Sequence, residues 1–489
     1  MSEHRTVPES PDPDPARRPW SCDTFVALPD ATRDGRLLFG KNSDRPARET
    51  QPVRRFPARQ GNGVLQLAYC RIDDAVPTFE HLGSGPYWCW GHEIGLNSRG
   101  VVIGNEALFT RDLASTAQAD RTAIATGVTR PSPGLLGMEL LRLGLERGGS
   151  AEEAVEVIIG LLRRYGQWAA GTISTDRAAA AYDNSYVVAD ADRAFLLETS
   201  GRDWAIRRVE TGIAALSNQP TIRTDWSRLA DGLIERAESL GWPGRDRADS
   251  SVQDCAGPDV WDFAEAVTDP GTPLQLSQIR LQRSRQLLAD GMTAGGVDWE
   301  TAHSVLADHY EGSFLDGPAF NAARPDFLTL CMHDSPAGFT WGNTAASVIA
   351  VPGAPTPYWW WAPTTPCTSV YLPIAVGTDP PPALGTAGSA SGTGPNPELA
   401  SVDGPAPGSY WWTFALLLEA VCGNPDGTRY ADRQPRVREI LDPLQDRFLA
   451  DAAELESRGA PAEDWQHLTR RCAAAAQAAV DRLLADFAD

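Results

Sequence analysis

An α+β fold, with antiparallel sheets covered by helices, is what this 489-residue sequence predicts, and three observations carry the prediction. Short apolar runs bounded by turn signals come first, two amphipathic helical stretches follow at 133–166, and strand-like runs then return before a second set of helices. Strands and helices in blocks argue against the regular alternation of a doubly wound parallel sheet.

The first 21 residues, MSEHRTVPESPDPDPARRPWS, are charged and proline-rich and lack the apolar centre of a secretory signal, so 1–21 reads as a disordered leader or propeptide. TFVAL (24–28), a turn at Asp34-Gly35 and RLLFG (36–40) read as two antiparallel strands. VLQLAYC (64–70) and GVVIGNEA (100–107) are further strands, the second entered through an Asn97-Ser98-Arg99-Gly100 turn. GLLGMELLRLGLERG and SAEEAVEVIIGLLRRYG place apolar residues three and four apart, as two helices joined at Gly148-Gly149. SYVVAD, AFLLET, WAIRRV and GIAALSNQ bring strands back over 185–219. Helices are expected around 227–240, 278–290 and 299–309, and strands around 327–333, 345–351 and 368–374. Together these form one domain, 22–377. A Pro/Gly/Ser-rich connector, expected to be disordered, covers 378–409, and an Ala/Leu/Arg/Glu-rich helical region covers 410–489.

The net charge of −21 repels phosphate backbones and anionic membranes, and no basic patch is segregated, so neither nucleic acid nor membrane is an expected partner. No apolar run is long enough for a membrane-spanning helix, and a cytoplasmic location is expected. The eight cysteines (22, 70, 89, 255, 331, 367, 422 and 472) contain no CxxC pair, a pattern that fits neither a zinc site nor a disulfide framework. His333 and the His303/His309 pair show no recognised ligand spacing and read as packing or surface residues, so no metal is expected. Sixteen tryptophans include the runs 359–361 and 411–412. They read first as core, then, because the runs flank the connector, as a tail-to-body or homo-oligomer interface.

Lys41 is the only lysine among 43 Lys and Arg residues. It lies in GRLLFGKNSDRP (35–46), which spells a nucleotide-binding P-loop until Asn42 replaces the final Ser or Thr. The residues between the glycines read as a strand and not as a phosphate-wrapping loop, and Pro46 stands where a helix should run, so the match is accidental. A hairpin of 23–28 with 36–41 instead sets Asn42 opposite Cys22, with Lys41 and Asp44 close by. An ammonium beside a thiol lowers its pKa from about 8.5. None of the seven histidines falls in a Cys/His motif, but an α-amine freed by a cut between Ser21 and Cys22 would serve as base. Lys41 would favour both thiolate and neutral amine, and Asp44 would hold the amine in place.

CDTFVALPDATRDGRLLFGKNSDRP (22–46) resembles the mature N-terminus of the secernin and dipeptidase branch of the cysteine N-terminal-nucleophile (Ntn) hydrolases, relatives of conjugated bile salt hydrolase and penicillin V acylase. WCWGHEIGLNSRGVVIGNEAL (88–108), GLLGMELLRLGLERG (134–148), YDNSYVVADADRAFLLETSGRDWA (182–205) and SNQPTI (217–222) follow in the order of secernin segments, so the resemblance spans 22 to about 242. It implies a four-layer αββα sandwich of two antiparallel sheets, to which the C-terminal helical region is an extension. It further implies Cys22 as nucleophile and N-terminal base, Asp44 hydrogen-bonded to its amine, and Lys41 where secernins have lysine and bile salt hydrolases arginine. The backbone amide of Asn105 and the side chain of Asn218 fall at that family's oxyanion donors, which contribute on the order of 3 kcal/mol each. For the family's late active-site arginine, Arg280, Arg283 and Arg285 compete and Arg283 is chosen. The implied reaction is hydrolysis of a C–N amide bond, in a dipeptide or small amide metabolite, through a thioester on Cys22 and without metal or organic cofactor. The alternatives are a non-hydrolytic, secernin-like binding or regulatory protein, and an acyltransferase that uses the same thioester.

Overall fold

The computed structural model describes residues 21–488 apart from 245–260, 274, 318–319, 326, 336–339, 341 and 391–395. The expected leader, up to residue 20, and Cys255 lie outside the described residues. The chain opens with β1 (Cys22–Ala27), β2 (Leu38–Pro46), β3 (Val53–Phe56), β4 (Gly63–Gln66), β5 (Arg71–Asp74), β6 (His81–Ser84), β7 (Ile94–Asn97) and β8 (Val102–Leu108). Helices α1 (Arg111–Thr126), α2 (Gly137–Arg147), α3 (Ala151–Tyr165) and the short α4 (Arg177–Ala180) lead into β9 (Asp183–Ala189), β10 (Ala194–Ser200), β11 (Asp203–Val209), β12 (Ile213–Leu216) and β13 (Arg228–Leu229). Then come α5 (Leu233–Ser239), α6 (Phe263–Val267), α7 (Gln275–Thr293), α8 (Trp299–Leu306), β14 (Gly342–Val351), β15 (Tyr358–Pro363) and β16 (Leu372–Ala375). The chain finishes with α9 (Pro382–Gly385), α10 (Tyr410–Cys422), α11 (Tyr430–Ser457) and α12 (Ala462–Ala488).

Among the described residues the strands form a six-stranded sheet, β12-β1-β2-β14-β15-β16, an eight-stranded sheet, β13-β11-β10-β9-β8-β7-β6-β3, and a separate β4-β5 ribbon, with every ladder antiparallel. The two large sheets face each other through β1, β12, β8 and β9. Helices α2 and α3 cover the eight-stranded sheet, and α7, α8, α10, α11 and α12 cover the other. The expected α+β fold, layered helix, sheet, sheet, helix with C-terminal helices added, is the one observed. Because both faces of the central sheets are covered, strands such as β1, β9 and β10 are buried at every position, whereas β5 alternates buried and exposed.

Several local expectations change. In the first hairpin Cys22 pairs with Ser43 and Thr24 with Lys41, so Asn42 stands opposite Asp23 and not opposite Cys22. The segment 28–37 is a long loop, whose length does not fix register as a tight turn would, and a one-residue slip exchanges the faces of all side chains. Gly40 is a packing glycine: a Cβ there would sit 2.2 Å from the Phe25 ring across the ladder. The expected strand at 64–70 stops at Gln66, where Leu67 N bonds Cys70 O and the chain turns into β5. Residues 327–333 form no strand among those described, and the tryptophan run at 359–361 instead builds the buried strand β15. Trp411 Nε1 donates to Ala345 O on β14 at 2.7 Å, which joins the C-terminal helices to the sheet. The connector, expected to be disordered, has ordered contacts in its described part. It carries α9, and the Asp403 carboxylate accepts the amides of Gly388, Ala390 and Gly404 at 2.8–2.9 Å.

Next to β3, His81 stacks on Phe56 with ring centroids 4.9 Å apart, its Nε2 3.1 Å from His92 Nε2. Burial first, then Arg142 and Arg59, lower its pKa from 6.5 to about 3. The unfolded chain then binds a proton that the folded chain refuses, so stability contributed above pH 6.5 is lost as pH falls towards 3, by about 2 kcal/mol at pH 5. Urea unfolding of the parent and His81→Phe at pH 7.5 and pH 5 is expected to show a smaller acid loss in the variant. Equal losses would remove His81 as the cause.

Candidate active site

Three strands converge at Cys22. It begins β1; the ladder to β2 sets Ser43 opposite it, and the ladder to β12, carried two residues past Thr24↔Leu216, brings Asn218 alongside. Cys22 N donates to Asn218 Oδ1 at 2.9 Å, and the backbone amide of Asp44 donates to Cys22 Sγ at 3.4 Å. The structure therefore gathers Cys22, Lys41, Asp44 and Asn218 at one end of the six-stranded sheet.

Lys41 is fully buried and reaches across the sandwich to β8. Its Nζ donates to Asn105 O at 2.6 Å and pairs with Glu106 Oε1 at 3.5 Å, while Thr24 also hydrogen-bonds Glu106. Gly104 leaves room for the lysine stem, since a Cβ there would lie 2.5 Å from Lys41 Cδ and 3.0 Å from the Phe39 ring. Burial alone would lower the pKa of Lys41, but Cys22, Glu106, Glu93 and Asp44 raise it above its ordinary value, so the ammonium is charged. The thiol behaves differently from expectation. Burial pushes Cys22 up to about 12 against the attraction of Lys41, with Glu93 and Asp44 adding to the rise. In this arrangement the thiol is protonated: Lys41 moderates the cost of a thiolate without making it the resting form.

Asp44 Oδ1 accepts from Thr344 Oγ1 at 2.7 Å, and its buried Oδ2 makes no hydrogen bond of standard geometry. Burial raises this carboxyl, against Ser21, Thr344, Arg280 and Lys41. Asn105 is brought close by its carbonyl. Its backbone amide, the expected oxyanion donor, faces Glu93 O at 3.4 Å. Asn218 is adjacent to Cys22, but its Nδ2 donates to Ala107 O at 2.9 Å. Both expected donors are thus engaged within the protein.

Of the competing arginines, the structure places Arg280 against Cys22 and the chosen Arg283 away from it. Arg283 forms a two-point pair with Asp308, Nε at 3.0 Å and Nη2 at 2.6 Å, in place of a contact with Cys22. Arg280, one turn earlier on α7, is fully buried and donates to Cys22 O at 3.1 Å, Asp23 Oδ2 at 2.5 Å and Asn218 Oδ1 at 2.9 Å. Burial would lower its pKa, and Asp23, Asp44 and Tyr310 more than offset that. Arg285 is also partly buried, and burial lowers its pKa. Helix phase does not separate them: 280 and 283 lie only about 60° apart around the helix at 3.6 residues per turn, and contact with β1 and β12 tells which one faces the sheet.

Glu93, Glu106 and Arg45 are site neighbours that sequence reasoning missed. Arg45 is buried between Glu49 and Glu93 at 2.6 and 3.1 Å. A buried lysine requires a counter-charge, and Glu106, next to Asn105 on β8, supplies it. A cavity of about 450 Å³ borders the cluster, lined by Asn343, Thr344, Trp411 and Leu418 among others. It reaches the cluster through Thr344, the partner of Asp44; among the described residues Cys22 does not line it. Apart from this site, His309, Cys331, His333 and Cys367 form a buried group of metal-ligating side chains.

Gly104→Ala is expected to destabilise by about 1–3 kcal/mol, the ordinary cost of overpacking, and to push Lys41 off Asn105 O. Urea unfolding checks the first effect; an unchanged midpoint would mean that the lysine stem yields freely.

No family model matches the chain. Solved structures give distant similarity. A mutant conjugated bile acid hydrolase from Clostridium perfringens is 14% identical, over 69% of this chain and 88% of that one, with a TM-score of 0.37. The Caenorhabditis elegans ortholog of N-acylethanolamine-hydrolyzing acid amidase is 12% identical over 68% and 94%, TM-score 0.33. Penicillin V acylase from Agrobacterium tumefaciens is 12% identical over 72% and 86%, TM-score 0.36.

Proposed function

We propose that the chain is the precursor of a cysteine amidohydrolase that cuts its own Ser21–Cys22 bond and then hydrolyses a C–N amide bond of a dipeptide or small amide. The observation that carries this reading is that Cys22, at the first position of β1, has its nitrogen, carbonyl and sulfur each held by a separate polar group: Asn218, Arg280 and the Asp44 amide. A structural cysteine does not require its own main chain to be fixed in this way.

Processing would proceed by attack of Cys22 Sγ on the Ser21 carbonyl carbon, transfer of the acyl group to sulfur as the C–N bond breaks, and hydrolysis of the thioester to leave a carboxylate on Ser21 and a free amine on Cys22. That amine, with an ordinary pKa of about 7.7–8.0, would take the thiol proton in each later turnover. Asn218 Oδ1 already accepts the Cys22 N–H of the uncut chain, and the buried Asp44 carboxyl would accept from the N–H bonds that cleavage adds. The thiolate then attacks the substrate carbonyl; the amine group protonates the leaving nitrogen as the tetrahedral intermediate collapses to a thioester, and water, deprotonated by the same amine, releases the acid. Lys41, charged and fixed, stabilises the thiolate in this cycle.

One observation favours a second reading. The thiol is buried and pushed up to about 12, and the Asn105 and Asn218 donors are engaged, as a non-hydrolytic binding or regulatory protein would leave them. An acyltransferase differs from the hydrolase only in the acceptor of the thioester. Intact mass spectrometry separates the main readings: a mass beginning at Cys22 is expected in an amidase-active sample, and a full-length mass in an active sample would refute the free-amine mechanism.

A further inference from the structure

Four potential ligands meet outside the Cys22 hairpin. His309 follows α8, Cys331 and His333 lie in the segment that leads into β14, and Cys367 lies in the short turn of 3₁₀-helix, Pro366–Thr368, between β15 and β16. All four are buried, and their ligand atoms lie within 4.8 Å of one another. His333 Nε2 is 3.1 Å from His309 Nε2, 3.3 Å from Cys367 Sγ and 3.7 Å from Cys331 Sγ. A tetrahedron with Zn–N of about 2.0 Å and Zn–S of about 2.3 Å has edges of about 3.3 Å between nitrogens and about 3.5 Å between nitrogen and sulfur. The three separations from His333 Nε2 match those edges to within a few tenths of an ångström. Both cysteines are free thiols and not a disulfide.

The surroundings point the same way. His309 Nδ1 is 2.9 Å from Glu311 Oε1. With the proton on Nδ1 donated to that carboxylate, the lone pair of Nε2 is left facing the other three ligands, as at metal-bound histidines. The Tyr430 hydroxyl donates to Cys367 Sγ at 3.3 Å, the contact expected of a donor beside a thiolate. Two sulfurs and two imidazoles at tetrahedral spacing suit zinc better than the harder divalent ions, and four protein ligands leave no open position for substrate.

We propose that His309, Cys331, His333 and Cys367 hold a structural Zn²⁺ ion that clamps the segments after α8 and before β14 to the 366–368 turn. Binding deprotonates the two thiols, releases their protons to solvent and changes no oxidation state. The clamp reaches the candidate active site through the backbone. Met332, between two of the ligands, donates its amide to Thr344 Oγ1 at 2.9 Å, and Thr344 Oγ1 donates to Asp44 Oδ1 at 2.7 Å. Leu330 O, beside Cys331, accepts from Asn42 Nδ2 at 2.7 Å. The zinc site does not depend on the amidohydrolase reading, and each can fail without the other. The spacing of 309, 331, 333 and 367 matches no compact sequence motif, which is why no zinc signal is legible in the sequence.

Elemental analysis of the full chain, expressed with zinc and dialysed against metal-free buffer, is the test. About one equivalent of zinc is expected, because folding and binding are coupled at such sites, falling to about a tenth or less in Cys331→Ser and Cys367→Ser. Cys472→Ser, on α12, is expected to keep the full equivalent. Because either ligand variant can fail to fold, the parent chain is also refolded with Co²⁺. A thiolate-to-cobalt charge-transfer band together with the visible bands of tetrahedral cobalt supports the site. A folded parent with no bound zinc and no such bands overturns it, as does a Cys331–Cys367 disulfide found by mass spectrometry of unreduced protein.

Discussion

Cys22→Ala is expected to leave the chain at its full-length mass and to reduce amide hydrolysis by roughly 10⁴-fold or more, the scale on which removing a covalent nucleophile acts. The same atom is proposed to cut the Ser21–Cys22 bond and to carry the acyl group in turnover, so one substitution removes both steps. Cys22→Ser separates them. A hydroxyl is harder to ionise than a thiol and would be still further disfavoured in a site where burial already holds the thiol up to about 12, so slow processing with little turnover is expected. Intact mass against time and hydrolysis of a dipeptide panel are the readouts. Full activity in Cys22→Ser would move the nucleophile elsewhere. A parent that is never processed and never hydrolyses would favour the binding or regulatory reading.

Arg280→Met is expected to destabilise the fold by about 3–5 kcal/mol, the scale on which removing one partner of a buried ion pair acts. Asp23 is the other partner, 2.5 Å from the guanidinium, and burial already raises its pKa to about 7 despite the arginine. Cys22 O and Asn218 Oδ1 lose a donor as well. Adding Asp23→Asn is expected to recover part of the stability, since a neutral amide tolerates burial better than a carboxylate, but not the positioning of Asn218 against Cys22. Arg283→Met removes an ion pair with Asp308 that does not touch Cys22, so turnover is expected to stay near the parent's while stability falls. Urea unfolding with turnover rates decides this: equal loss of turnover in the two variants would return Arg283 to the site.

The hairpin shows how far a sequence can be read. TFVAL and RLLFGKN signal two strands, and their closeness in the chain brings Cys22, Lys41 and Asp44 together under any plausible pairing. Which residue faces which is a finer matter. Register depends on the 28–37 loop and on the fit of the Phe25 ring over Gly40, and the observed pairing places Lys41 opposite Thr24, on the face shared with Cys22. The isolated lysine could be singled out from composition, but the Glu106 carboxylate that stabilises it, on another sheet, could not be assigned from pattern alone. For the arginines, all three candidates lie in one helix with similar local sequence, and the sheet packed against that helix selects Arg280.

What the sequence determined by itself is short in range: strands and helices in blocks, the turn at Gly100, the helical C-terminal region, and a cysteine beginning a strand that returns beside it. Apolar periodicity and turn chemistry act over a few residues, so they survive in any context that buries one face. The tertiary structure decided the rest. It fixed the register, the arginine that meets Cys22, the engaged state of Asn105 and Asn218, and the convergence of His309, Cys331, His333 and Cys367 from three segments distant in the chain. It also reversed the expected effect on the thiol, because the attraction of Lys41 is visible in a list of residues whereas the loss of water around Cys22 exists only once both sheets have closed over it.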